Sequence, residues 1–311
     1  MIYKEFRIEK INKNTINDLL FLFQSCFGFR PEYNFLLNKQ MSCHGKNLFV
    51  GFIAYQNESN EPAAFYGVYP QLVSFKGKDY LLAQSGDTMT HPFHQKKGLF
   101  VALASHTYKY CKEIGIKAIF GFPNNNSFPG FVTKLNFSEL DSLVGYTFLE
   151  NRFEYARLFK NKSNKYNRFV YMLMSIFYRK GESFSNSIKN NAFVVHDDLY
   201  FKSKNKNRNY FFKIKNTNVF LKLIGNNIII GDIDLKEDTD LTGIINSLKT
   251  FCRVSGKRFL NFDTSTDSSI ISKIEYLSKN KAASNKVIFL KLDKSLPFDS
   301  VDFMGCDIDV F

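Results

Sequence analysis

The stretch Gln84-Ser-Gly-Asp-Thr-Met-Thr-His-Pro-Phe-His-Gln-Lys-Lys-Gly-Leu-Phe100 decides the fold. Its first residues close an aromatic and β-branched run, 79–88, that reads as a strand. Pro92 breaks that strand, and Gln95-Lys-Lys-Gly98 opens a helix expected from Gly98 to Ile114. Leu99, Ala102, Leu103, His106 and Tyr110 share one face of it, and Gly115 follows its last turn. The first amides of a helix have no partner within it and carry partial positive charge. Gly98 lets a ligand approach the backbone closely, while Lys96 and Lys97 add charge. Together these parts suit a pyrophosphate.

Upstream, residues 3–11 alternate like a strand, and Thr15-x-x-Asp18 opens a helix from Ile16 to Phe27 that Gly28 ends. Pro31 starts a second helix reaching about Gln40. Residues 48–56, 62–69 and 79–88 read as three strands in meander order. Downstream come a strand Ala118 to Phe122, a helix Phe128 to Leu135, and strands from Ser138 to about Glu150. After Asn190 the sequence implies a hairpin around Gly225-Asn-Asn227, a helix Leu241 to Val254, a strand Arg258 to Asp263, a helix Ser268 to Leu277 and a strand Val287 to Leu292. The expected class is α/β, an α+β mixed sheet, in three parts: a module at 1–150, a basic helical connector at 151–190, and a second module at 191–311.

The bulk properties agree. At roughly 150 residues per domain, 311 residues imply about two domains. With 44% hydrophobic and 23% charged residues, disordered and collagen-like classes are excluded. Lys plus Arg exceeds Asp plus Glu by 42 − 29 = +13, which suits an anionic partner, although a Lys- and Asn-rich composition gives the same excess unselected. The cysteines Cys26, Cys43, Cys111, Cys252 and Cys306 are odd in number and never form C-x-x-C, the pattern of reduced thiols with no metal site. The start MIYKEFRIEK lacks the apolar core of a secretory signal, and Phe169 to Tyr178 is about half of the ~20 residues that span a bilayer. A cytoplasmic location is the expectation. The connector carries Arg152, Arg157, Lys160, Lys162, Lys165, Arg168, Arg179 and Lys180; it reads either as a helix packed between modules or as a peripheral contact with an anionic membrane.

The string Gln95-Lys-Lys-Gly98-Leu-Phe100 resembles the loop of the GNAT superfamily of acyl-CoA-dependent N-acyltransferases, with Phe100 where that family has a small residue. Phe120-Gly-Phe-Pro-Asn124, Ser127 and Leu135-Asn136-Phe137 resemble its next markers, with Asn136 at the usual glycine. Asparagine tolerates a left-handed backbone better than most residues. The fuller string, with the tail Gly305-Cys-Asp-Ile-Asp-Val310, is similar to two-module members from bacterial surface-polysaccharide genes. The second half then resembles a degenerate GNAT-like module.

The resemblance implies acetyl-CoA or another acyl-CoA as co-substrate. Its pantetheine would line the strand end Thr88, Met89 and Thr90, and its pyrophosphate the amides of Gln95, Lys96, Lys97, Gly98, Leu99 and Phe100. Asn124 and Ser127 would complete the cofactor site. Asp87 is the first candidate for removing the amine proton, against an Asx-turn role; His91 is the second, against a turn role before Pro92. The family's frequent tyrosine acid has no counterpart among Phe128, Phe131 and Val132. Glu237, Asp238 and Asp240 precede the matching helix of the second module and would repel a pyrophosphate, so one CoA site per chain is expected. By resemblance the partner is a small-molecule amine, a nucleotide- or lipid-linked amino sugar. The rivals are an aminoacyl-tRNA-dependent transferase of the double-GNAT kind and a non-catalytic binding protein. No RNA-binding motif supports nucleic acid, and the oligomeric state is open.

Overall fold

The structure, a computed structural model, describes residues 2–41, 48–150, 163–185, 191–204, 209–266, 271 and 280–308. In chain order the elements are α1 (Ile2–Glu5), β1 (Phe6–Lys10), α2 (Ile16–Phe27), α3 (Tyr33–Gln40), β2 (Gly51–Gln56), β3 (Pro62–Phe75), β4 (Lys78–Thr90), α4 (Leu99–Glu113), β5 (Ala118–Gly121), α5 (Phe128–Leu135) and β6 (Ser138–Leu140). They continue with β7 (Val144–Leu149), α6 (Ser163–Phe177), β8 (Arg179–Lys180), β9 (Phe193–Val194), α7 (Asp198–Lys204), β10 (Asn209–Ile214), β11 (Thr217–Ile224) and β12 (Asn227–Ile233). The last are α8 (Leu241–Ser255), β13 (Phe259–Thr264), β14 (Lys281–Ala283) and β15 (Val287–Lys291). Cys43, the basic residues Arg152, Arg157, Lys160 and Lys162, and nearly all of the expected helix Ser268 to Leu277 lie outside the described residues.

The chain forms two compact units: Met1–Leu140 with Val287–Ser300, and Asp141–Lys286 with Val301–Phe311. The first sheet runs β1-β2-β3-β4-β5-β15-β6. Strands β1 to β4 pair antiparallel as the expected meander, β4 and β5 pair parallel, and β15 pairs antiparallel with both β5 and β6. The second sheet runs β14-β7-β13-β12-β11-β10-β8, parallel only between β12 and β13. Both sheets are mixed, as the α/β reading requires.

Three expectations are corrected. The run Ser138 to Glu150, read as belonging to one module, splits between the sheets: β6 stays in the first and β7 joins the second. Val287 to Leu292, read as part of the second module, supplies β15 to the first. Local pattern fixes that a segment is a strand; it does not fix which edge the strand completes. The third is β10, which the sequence reading passed over. Its signal was the turn Lys215-Asn216: both residues have positive φ, 49° and 61°, between the partners Ile214 and Thr217. That is a two-residue turn whose twist matches the flanking strands. Lys76 and Gly77 do the same between β3 and β4, carrying that hairpin well past the expected Tyr69.

The first core has two layers because alternate residues face opposite sides of the sheet. Ala54, Ala64 and Tyr66 pack with Leu99, Leu103, Ala104 and Cys111 of α4. Ile53, Tyr55 and Phe65 pack with Leu19, Leu20, Leu22 and Phe23 of α2. Helices on both faces explain why β3 is buried almost without alternation. Gly28 ends α2 at φ 74°, as expected of a glycine there. Among the described residues, no helix is long and apolar enough to cross a membrane.

A fragment ending at residue 150 carries β5 and β6 without the strand that joins them. It should fail to fold, seen as collapsed amide dispersion in NMR and aggregation. A permuted first unit with 287–300 linked after Leu140 should recover a cooperative melt.

Candidate active site

Strands β4 and β5 are parallel neighbours only from Ala83↔Ile119 to Ser85↔Gly121. There β5 ends, while β4 runs on to Thr90. The main chain of Gly86 to Thr90 thus leaves a fork on the β5 side. Gly121 sits at its apex because a Cβ there would lie 3.3 Å from the Ser85 Cβ.

Within the fork β4 carries a bulge. Gly86 pairs with Gly67 and Met89 with Phe65, so three steps on β4 match two on β3. Asp87 takes the strained position at φ 49°. The bulge turns its carboxylate away from the ladder, where Lys39 Nζ meets Oδ1 at 2.8 Å and the Tyr69 hydroxyl donates to Oδ2. Gln40 Nε2 reaches the same carboxylate at 3.4 Å and the Tyr69 oxygen at 3.1 Å. The Asp87 side chain is therefore held by α3 and β3. Nearby, Met89 is buried in the α2-side core. Burial pushes the Cys26 thiol of α2 up, although the Thr90 amide bonds to it.

His91 begins a short turn, with its Nδ1 accepting from the Phe93 amide at 3.4 Å and its ring stacked on Phe21 at 5.9 Å. His94 lies lower: burial, then the charge of Lys97, holds its imidazole below the usual value, and its buried Nδ1 has no partner. Gln95, Lys96, Lys97 and Gly98 are exposed. Gly98 is the N-cap of α4 at φ 79°, and no side chain caps the helix. Lys97 leans on Glu5 at 3.2 Å, an exposed pair of little energetic weight.

Phe100 is accommodated from across the fold. Its ring stands edge-on to Phe131 at 5.3 Å and lies against Gly130, where a Cβ would be 3.2 Å from it. The small residue that the loop lacks at 100 is supplied at 130. Asn124 accepts the amides of Asn126 and Ser127 at 3.0 Å each, and the Ser127 hydroxyl bonds back to it. That turn fixes the start of α5, and Asn136 closes α5 at φ 57°. Sequence reasoning missed one feature. The Tyr66 hydroxyl bonds to Ser85 Oγ and to the Tyr108 hydroxyl, each at 2.9 Å, a chain that reaches the fork apex. Burial pushes both phenols above their ordinary range, which keeps them protonated. The three residues sit on three separate elements, so no local motif marks them.

The second unit treats the corresponding place differently. β12 and β13 pair from Asn227↔Phe259 to Ile230↔Phe262, then diverge. The chain's own turn Gly305–Asp307 fills the gap: Thr264 bridges Met304, and a Cβ on Gly305 would lie 3.1 Å from the Ile230 carbonyl oxygen. Buried His196 clamps this plug, with Nδ1 2.5 Å from Asp232 of β12 and Nε2 2.8 Å from Asp307. Tyr200 donates to the same Asp307 oxygen at 2.8 Å. His196, Cys306 and Asp307 bring metal-type donor atoms within 4.8 Å of one another, and both imidazole nitrogens already face carboxylates. At the start of α8, Asp240 accepts from the Gly243 amide at 2.8 Å, so the acid expected to repel a pyrophosphate also occupies a helix-start donor.

Residues 7–139 match the sequence profile of a family described as an acetyltransferase (GNAT) domain. No curated protein sequence matches the chain. Among solved structures, it is similar to a GCN5-related N-acetyltransferase from Anabaena variabilis at 13% identity, covering 93% of this chain and 73% of that one, with a TM-score of 0.59. A GCN5-related N-acetyltransferase from Kribbella flavida is similar at 10% identity, 93% and 72% coverage, and a TM-score of 0.58. At such identities the likeness is one of fold, and it extends over both units.

The buried clamp predicts a pH signature. Burial opposes charge on His196, but Cys306, Asp307 and Asp232 hold its imidazole well above the ordinary value. Its contribution is full below about pH 6.5 and is lost as pH rises through the raised value. Burial likewise opposes charge on Asp307, but His196 holds it below the usual range; that contribution is present above about pH 4 and lost on acidification. His196→Gln leaves two carboxylates facing one another. The variant should lose about 3–5 kcal/mol at neutral pH and regain part of it toward pH 5, where the native protein gains nothing. Hydrogen exchange of the β12 amides checks this.

Proposed function

We propose that the chain is a GNAT-type N-acyltransferase that moves an acetyl or other acyl group from acyl-CoA to the primary amine of an amino sugar, nucleotide- or lipid-linked, in surface-polysaccharide synthesis. One observation carries the donor half of this reading: pairing between β4 and β5 stops at Ser85↔Gly121, and the open β4 edge leads to an uncapped, basic helix start. The edge of Thr88 to Thr90 offers main-chain bonds to pantetheine amides. The amides of Gln95 to Phe100, with Lys96 and Lys97, take the pyrophosphate. The turn held by Asn124 and Ser127 positions α5 beside it.

Chemically, the amine nitrogen bonds to the acyl carbon, the carbon–sulfur bond breaks, and the amine proton must leave. Asp87 takes it, directly or through water, while Lys39 and Tyr69 fix the direction of its carboxylate. His91 is the second candidate, its Nδ1 engaged by the Phe93 amide and its Nε2 on the far side of the ring. The hydroxyl chain Tyr108–Tyr66–Ser85 at the fork apex, kept protonated by burial, offers a hydrogen bond to the departing thiolate, which needs no strong acid to leave. Positioning supplies most of the remaining acceleration.

Gly98→Glu adds bulk and negative charge where φ is 79° and should abolish acetyl-CoA binding in calorimetry. Undiminished affinity would remove the site assignment. Asp87→Asn should lower turnover on the order of 10²-fold while CoA affinity holds. Thiol release from acetyl-CoA across a panel of amines and amino sugars reads both turnover and acceptor; unchanged turnover would pass the proton to His91 or water.

A further inference from the structure

In the second unit, α6, β8 and β10 enclose an open groove of about 850 Å³. Local sequence makes the opening. β8 is two residues long and follows α6 after Tyr178 alone, so helix and sheet edge diverge from one corner. Gly181 then passes so close to β10 that a Cβ would lie 2.8 Å from the Phe212 carbonyl carbon.

Two amides lie buried in the groove lining. Asn167 of α6 is 2% exposed; its Oδ1 accepts from Lys257 Nζ at 2.5 Å, and its Nδ2 has no partner. Asn209 at the start of β10 is 4% exposed; its Nδ2 donates to the Lys204 carbonyl at 2.6 Å, and its Oδ1 has no partner. Each amide is anchored at one end by a strong bond and idle at the other. One idle end donates and the other accepts, which is the complement of a hydroxyl group. Buried polar atoms are normally satisfied, so a pair of such ends in one groove points to a ligand.

The remaining lining supplies charge and an apolar wall. Tyr171 and Tyr210 stack at 4.3 Å. Arg168, Arg179 and Lys180 are exposed on the groove, and no carboxylate among the described residues pairs with them. Guanidinium forks match phosphate oxygens in geometry as well as charge. Beside the groove, Phe169, Met172 and Ile176 form an exposed apolar strip along α6, at 50%, 60% and 80% exposure.

We propose that this groove binds a phosphorylated carbohydrate, with sugar hydroxyls meeting Asn167 Nδ2 and Asn209 Oδ1, the tyrosine pair as its apolar wall, and the phosphate on Arg168, Arg179 and Lys180. The site belongs to the second unit and stands without the acyl-transfer reading. The same headgroup chemistry comes from a soluble sugar phosphate or from a sugar phosphate carried on a lipid; the apolar strip would serve the second.

Calorimetry on the full chain tests this with N-acetylglucosamine 1-phosphate, inorganic pyrophosphate and unphosphorylated N-acetylglucosamine. The sugar phosphate should bind at least ten-fold more tightly than either half-ligand. The double variant Arg168→Glu, Arg179→Glu should lose at least ten-fold in that affinity and keep acetyl-CoA binding. Gly98→Glu should do the reverse, which separates failure of this site from failure of the CoA site. Pyrophosphate binding as tightly as the sugar phosphate would mean a general anion patch and overturn the proposal, as would affinity unaffected by the double variant or no binding at all. Co-sedimentation with vesicles carrying a polyprenyl-phosphate-linked sugar then assigns the source. Binding weakened by Phe169→Ser with Ile176→Ser supports the lipid-borne ligand, and binding of the soluble sugar phosphate alone supports the free one.

Discussion

The first unit depends on one interruption of a hydrogen-bond ladder. Parallel strands β4 and β5 hold each other for three residue pairs and then part. Unpaired backbone is costly when buried and useful when a ligand can satisfy it. Next to that interruption come the bulge that displaces Asp87 and the glycine that lets Ser85 and Gly121 meet, and β4 leads on to the uncapped start of α4. The loop that leads from β4 to α4 adds the exposed positive charges of Lys96 and Lys97.

The second unit repeats the interruption and closes it. Its strands β12 and β13 part after Ile230↔Phe262, and the chain's own Gly305–Asp307 turn satisfies the exposed backbone. A buried carboxylate–imidazole–carboxylate row then pins the plug. Such a row is a weak source of net stability but a strong constraint on register, because removing any member strands a buried charge. Two similar forks in one chain thus differ, one where β5 simply ends and one that the chain's own turn fills.

The units also exchange strands along the chain. β7 departs from the first half to sit between β14 and β13, and β15 returns from the second half to sit between β5 and β6. Each sheet is complete only with a segment from the other half of the sequence. This couples completion of the first sheet to the second unit, since its closing strand β15 follows most of that unit in the chain.

The sequence by itself determined the local elements and the place of the loop. Helix starts, the glycine and asparagine that end helices in left-handed backbone, and the basic turn at 95–98 are written in contiguous residues, because caps, turns and periodicity act over fewer than about five positions. The candidate Asp87 was legible as an acid at a strand end. Its partners Lys39, Gln40 and Tyr69 were not, for they arrive from two other elements. The same holds for the hydroxyl chain through Tyr66, Ser85 and Tyr108, for Gly130 making room for Phe100, and for the clamp of His196 between Asp232 and Asp307. These are contacts between residues tens of positions apart, fixed by which strand lies beside which. That choice belongs to the tertiary structure, because a strand's own alternation says which face is apolar and nothing about its neighbour.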